Sequence, residues 1–83
     1  MGKYTPLQKY LEAQTAGKLT LRMEQIERIL QDALPASAYR HVAWWSNGVT
    51  HRHVQCLAWM ESGYRTVGVD QTIRSGYIQF ERI

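Results

Sequence analysis

One cysteine, two prolines and no long apolar run set the first limits on this chain of 83 residues. Cys56 has no second cysteine to join, so no internal disulfide staples the fold, and a reducing compartment is its natural setting. The prolines, Pro6 and Pro35, fall where helices begin or end. No window approaches the roughly 20 apolar residues of a membrane span, so no membrane partner is expected. Met1–Lys3 leads into a structured-looking segment with no apolar signal stretch behind a basic start, which makes the cytoplasm the expected location.

Enzyme signatures are missing too. There is no Gly-rich phosphate loop, no Gly-x-Ser-x-Gly elbow and no pair of carboxylates in apolar surroundings. Glu24, Glu27 and Asp32 fall on a solvated helix face beside Arg28. His51-x-His53-x-x-Cys56, with His41 as a fourth group, contains metal-ligand types, but the spacing matches no zinc signature. His53 and Cys56 lie one turn apart, but the cysteine is on an apolar face, where an inert thiol is the usual occupant. A chain this short buries only about 60–65% of its unfolded surface, so a water-excluding cleft is hard to build. A non-enzyme without metal or cofactor is expected.

What the sequence does hold is aromatic bulk. Three tryptophans, five tyrosines and one phenylalanine spread over the whole length supply the large side chains a small core needs. Ordinary apolar content and a net charge of +3 separate the chain from disordered segments. The same mild positive balance favours polyanions over cations as partners.

Periodicity orders the elements. Thr5-Pro6 opens a helix carrying Leu7, Tyr10 and Leu11, with Gly17 as a stop. Lys18–Arg22 alternates as a short strand. Met23, Ile26, Ile29, Leu30 and Ala33 recur at helical spacing up to Leu34-Pro35, although Arg22 occupies the position of an N-cap. Ser37–Val42 allows one or two helical turns, and Ser46-Asn47-Gly48 is a turn signal. Thr50 can cap a third helix running to about Ser62 and ended by Gly63. The tail predicts a hairpin, with strands around 64–70 and 77–81 joined by a polar loop over 71–76. A hairpin is not stable alone, so it must pack on the helices with the strand at 18–22 as third partner. The fold class is therefore α+β, winged-helix-like: three main helices and a small antiparallel sheet, one domain over residues 1–83.

Several spaced segments form a series: Tyr4-x-Pro6-Leu7-x-x-Tyr10-Leu11, Ile26-Glu27-x-Ile29-Leu30, Leu34-Pro35-x-Ser37-Ala38, Trp44-Trp45-Ser46-Asn47, His53-x-Gln55, Ala58-Trp59 and Gly63-Tyr64. The series resembles a family of small, uncharacterised bacterial and phage domains that carry this string alone or attached to other domains. The resemblance covers nearly the whole chain and implies a compact domain without implying an activity. Arg22 departs from it, since the family looks to carry a small capping residue or a serine there.

The basic residues point to function. Arg40, His41, His51, Arg52, His53, Gln55, Arg65 and Arg74 face only Glu61 and Asp70 between residues 40 and 74. In a helix-turn-helix frame the N-terminal part of helix 50–62 meets base edges, which assigns His51, Arg52 and Gln55 to bases. Arg40, Arg65 and Arg74 then meet phosphates, with the 70–76 loop as wing. The plain alternative is solvated surface charge. DNA is the expected partner. The rival is a non-catalytic regulator or phage inhibitor that docks on a protein through exposed aromatics such as Trp45, Tyr39 or Tyr77. One indole of the Trp44-Trp45 pair is expected inside and the other at the surface, where it can act as a stacking platform.

Overall fold

A computed structural model of the chain describes residues 2–48 and 54–83. Its elements run α1 (Thr5–Glu12), β1 (Lys18–Arg22), α2 (Met23–Leu30), α3 (Ala36–Arg40), α4 (Leu57–Met60), β2 (Tyr64–Val67), α5 (Val69–Ser75) and β3 (Tyr77–Arg82). Short 3₁₀ turns at Val42–Trp45 and Val54–Cys56 lie between α3 and α4. The three strands are antiparallel in the order β1-β3-β2, so the last strand is the central one. The α+β class and the pairing of 18–22 with the C-terminal strands thus match the sequence reading. Among the described residues no helix is long and apolar enough to cross a membrane.

The sheet is two-faced because its residues alternate. Leu21, Tyr64, Thr66, Ile78 and Phe80 are buried against the helices, while Lys18, Thr20, Arg22, Arg65, Tyr77 and Gln79 are exposed. Leu7 and Leu11 of α1 and Met23, Ile26 and Leu30 of α2 complete the core from above. Through it runs a column of rings. Tyr4 meets Trp44, Trp44 meets Trp45, Trp45 stacks on Trp59 at 6.0 Å, and Trp59 meets Phe80 at 5.8 Å. Such pairs contribute about 0.5–1.5 kcal/mol each beyond the area they bury.

Arg22 makes an unusual helix start that works through its backbone. The Gln25 side chain accepts the Arg22 N–H at 2.9 Å, and the Gly76 carbonyl accepts the Met23 N–H at 3.0 Å. Two of the donors left open at a helix start are thereby satisfied. The guanidinium meanwhile lies over the Tyr77 ring and donates to its hydroxyl at 3.1 Å.

Three expected elements differ. The second helix stops at Leu30, not at Leu34-Pro35. Gln31 adopts the left-handed conformation, with its N–H on the Arg28 carbonyl and the Asp32 N–H on the Glu27 carbonyl, the Schellman pattern. Carboxylates then take the next amides: Asp32 accepts from the Ala33 N–H and Glu27 from the Leu34 N–H. This competition turns the chain and lets Leu34 be buried.

The third helix ends at Met60, short of the expected Ser62. Its described part is the 3₁₀ turn Val54–Cys56 followed by α4, and the expected cap and first turn at 50–53 lie outside the described residues. Finally, the expected wing loop over 71–76 is helical. Gly68 and Gly76, at φ 61° and 77°, bracket α5, and the Gly76 N–H closes on the Thr72 carbonyl at 2.8 Å. Val69, Thr72 and Ile73 face the core at helical spacing, a pattern hidden in sequence because threonine reads as polar.

Gln31 is exposed and pays the steric penalty of a left-handed residue with a side chain, about 1 kcal/mol. Gln31→Gly is expected to raise stability by about that amount in urea unfolding. A loss of stability there would contradict the α2 terminus described above.

Candidate nucleic-acid interface

The most specific string in the sequence, Trp44-Trp45-Ser46-Asn47, turns inward. Trp45 is 0% exposed and Trp44 9%, so neither indole is a surface platform. This corrects the expectation that one of the pair, Trp45 in particular, stands outside. The 3₁₀ turn rotates both rings toward the core, where Trp45 donates its Nε1–H to the Ala38 carbonyl at 2.8 Å.

Asn47 organises the polar part of this region. Its Oδ1 accepts from Trp59 Nε1 and from the Thr66 backbone N–H, both at 2.9 Å, and its Nδ2 donates to the Thr66 carbonyl at 3.0 Å. One side-chain amide therefore pairs with β2 as a neighbouring strand would and covers that edge of the sheet. The Thr66 hydroxyl donates to the Trp45 carbonyl at 2.6 Å. Gln55 is part of the same network. It is 4% exposed and donates Nε2 to the Trp44 carbonyl at 2.8 Å. Gln55 was expected to read a base, and burial removes it from any surface. Cys56 is buried beside it, and burial pushes its thiol up from its ordinary range, which favours the inert protonated form.

The remaining expected residues divide by location. His51 and Arg52 lie outside the described residues. Arg40 ends α3 and Arg74 lies on α5, both exposed, on two helices that pack on each other and on the Val42–Trp45 turn. Neither forms an ion pair among the described residues. Arg65 is exposed on β2 and pairs with Glu81 at 3.2 Å across the strands. Tyr77 opens β3, exposed beneath Arg22. Tyr39 is exposed on α3, but its hydroxyl donates to Glu27.

The sheet register brings together residues that sequence reasoning left apart. Lys18 and Arg65 both stand opposite Glu81, Thr20 stands opposite Gln79, and Arg22 stands opposite Tyr77. All are on the solvent face. That face carries three cations, Lys18, Arg22 and Arg65, against the single carboxylate of Glu81. The alternation at 18–22 was the available signal for Lys18, Thr20 and Arg22 sharing a side. Only the pairing with β3 places them beside Arg65 and Tyr77.

Two measurements test this geometry. Asn47→Ala strips partners from the buried Trp59 N–H and from both backbone groups of Thr66. It is expected to lower stability by about 3 kcal/mol in urea denaturation, at about 1–3 kcal/mol per orphaned group. A loss below about 1 kcal/mol would show that the network is dispensable. Partial desolvation, the hydrogen bond to Glu27 and the charges of Glu27 and Glu24 push the Tyr39 phenol up to about 12. Its raised pKa means its contribution to stability is whole below the unfolded value of about 10 and is lost as pH rises toward the folded one. Absorbance titration of the wild type minus Tyr39→Phe should show one phenol ionising near 12. Ordinary ionisation near 10 would contradict the contact with Glu27.

No curated protein and no solved structure matches the chain. A family model described as "Domain of unknown function (DUF7662)" matches residues 4–78, a span that includes the ring column from Tyr4 to Trp59, the Asn47 network, and β1, β2 and α5. The chain belongs to this DUF7662 family.

Proposed function

We propose that this domain binds nucleic acid, with DNA as the leading partner and the phosphate backbone as the main point of contact. One observation carries the reading: exposed cations outnumber and escape the available carboxylates. Among the described residues only Lys3 and Arg65 are in ion pairs, with Asp32 and Glu81. Lys18, Arg22, Arg40 and Arg74 are exposed without one. Cations held open on a folded surface gain by displacing the counterions of a polyanion.

The fold order supports the reading. A helix, a strand and further helices precede the last two strands, and the order β1-β3-β2 suits a winged-helix-like core. Helix α5 stands where a wing would project, so Arg74 is offered from a helix and not from a loop. Arg40, Arg65 and Arg74 are assigned to phosphates, and His51 and Arg52, from sequence, to base edges.

A second reading rests on Tyr39 and Val42, exposed at 42% and 40% on adjoining turns, which suit an aromatic-anchored protein contact by a non-catalytic regulator. Salt separates the two. Anisotropy of a labelled duplex should show saturable binding at roughly 50 mM salt that weakens at least about tenfold by roughly 200 mM. Arg40→Ala with Arg74→Ala should weaken it evenly across sequences and flatten the log–log salt dependence by about 1.8. No binding to duplex or single strand at low salt would eliminate the nucleic-acid reading and leave the protein partner.

A further inference from the structure

The solvent face of the sheet is the least explained surface of the molecule. An antiparallel sheet is expected to have one wet face, but the composition of this one is specific. Along β1 it presents Lys18, Thr20 and Arg22; along β3, Tyr77, Gln79 and Glu81; along β2, Arg65 and the half-buried Val67. Cations stand at both long edges. Polar groups that can both donate and accept, Thr20 and Gln79, face each other in the middle. Among the described residues neither of these side chains is engaged in a hydrogen bond. At one end the Arg22 guanidinium lies over the Tyr77 ring, 5.3 Å from its centroid, and both residues are open to solvent. From the middle of the face toward its other end is an open hollow of about 250 Å³ rimmed by Lys18, Thr20, Val67, Gln79 and Glu81.

Resting on the nucleic-acid reading, we infer that this sheet face is a second binding surface, apart from Arg40 and Arg74, and that its ligand is a single strand. The cations demand an anionic partner along the face. A second copy of the chain is disfavoured, because two such faces would oppose cation to cation. A duplex is a poor fit. The face is about 10 Å across its strands before side chains are added. A major groove about 12 Å wide admits a helix or a two-stranded ribbon, not the face of a three-stranded sheet. Bases buried in a duplex stack are out of reach of a surface too broad to enter the groove. In a single strand they splay out and can lie on an aromatic ring or a guanidinium plane. In this arrangement Lys18 and Arg65 hold phosphates on either side, the Arg22–Tyr77 pair stacks a base, and Thr20 and Gln79 meet base edges. All three tryptophans lie in the core, so binding leaves them untouched.

The test uses anisotropy of a labelled oligothymidylate of about 12 nucleotides, with a labelled duplex in parallel. Lys18→Gln with Arg22→Gln is expected to weaken single-strand binding at least about tenfold and, since only Lys18 of the two meets a phosphate, to flatten the log–log salt dependence by about 0.7. Tyr77→Leu should weaken it by about 5- to 100-fold with little change in that slope, whereas Tyr77→Phe, which keeps the ring, should stay within about twofold. Lys9→Gln, on the exposed side of α1 in the helical layer, should change nothing but the general charge. Tryptophan emission should not move at saturation. Single-strand binding that survives the Lys18, Arg22 and Tyr77 changes would overturn the sheet-face assignment while leaving the nucleic-acid reading in place. Absence of binding to either probe would remove that reading itself.

Discussion

The carboxamide of Asn47 holds the fold to its sheet. Two elements distant in sequence converge on it, Trp59 on α4 and Thr66 on β2, while Gln55 closes the neighbouring turn against the Trp44 carbonyl. A carboxamide suits this position because it carries an acceptor and a donor side by side, as a peptide group does. Alanine would supply neither. The interaction satisfies an indole N–H in the middle of the ring column and covers the outer edge of β2. It therefore serves the core and the sheet at once.

This arrangement explains which parts of the fold were legible in sequence. Strong periodicity survived: Leu7 and Leu11, Met23, Ile26 and Leu30, and the alternation at 18–22 all face as their spacing implies. Failures came where side chains replace backbone partners. The α2 terminus is set by the Glu27 and Asp32 carboxylates capturing amides, which no apolar period records. Helix α5 hides behind a buried threonine and two glycines that read as a loop. The adjacent tryptophans were expected to point apart, as neighbours on a strand do, whereas a 3₁₀ turn places both inside.

The same division runs through the candidate site. Gln55 and Trp45 carried functional assignments because glutamine and tryptophan are versatile recognition groups, yet both are consumed by the core. Arg40, Arg65, Arg74 and Tyr77 remain at the surface as charge and size suggest. Lys18 and Arg22 gained their interest from register alone, since residues far apart in the chain, such as Lys18, Arg65 and Glu81, become neighbours only when β3 lies between β1 and β2. The inward network and the outward sheet face are two sides of one construction. Rings and carboxamides held beneath the sheet leave its other face free for cations, a tyrosine and polar groups that support nothing inside.

Titrating the isotope-labelled domain with a single-stranded oligonucleotide, and following its backbone and indole N–H resonances, tests this account most directly. Shifts concentrated at Lys18–Arg22, Arg65–Val67 and Tyr77–Glu81, with the three indole signals stationary, are the predicted result. Shifts confined to the indoles and to Gln55–Met60, with the sheet face silent, would contradict it.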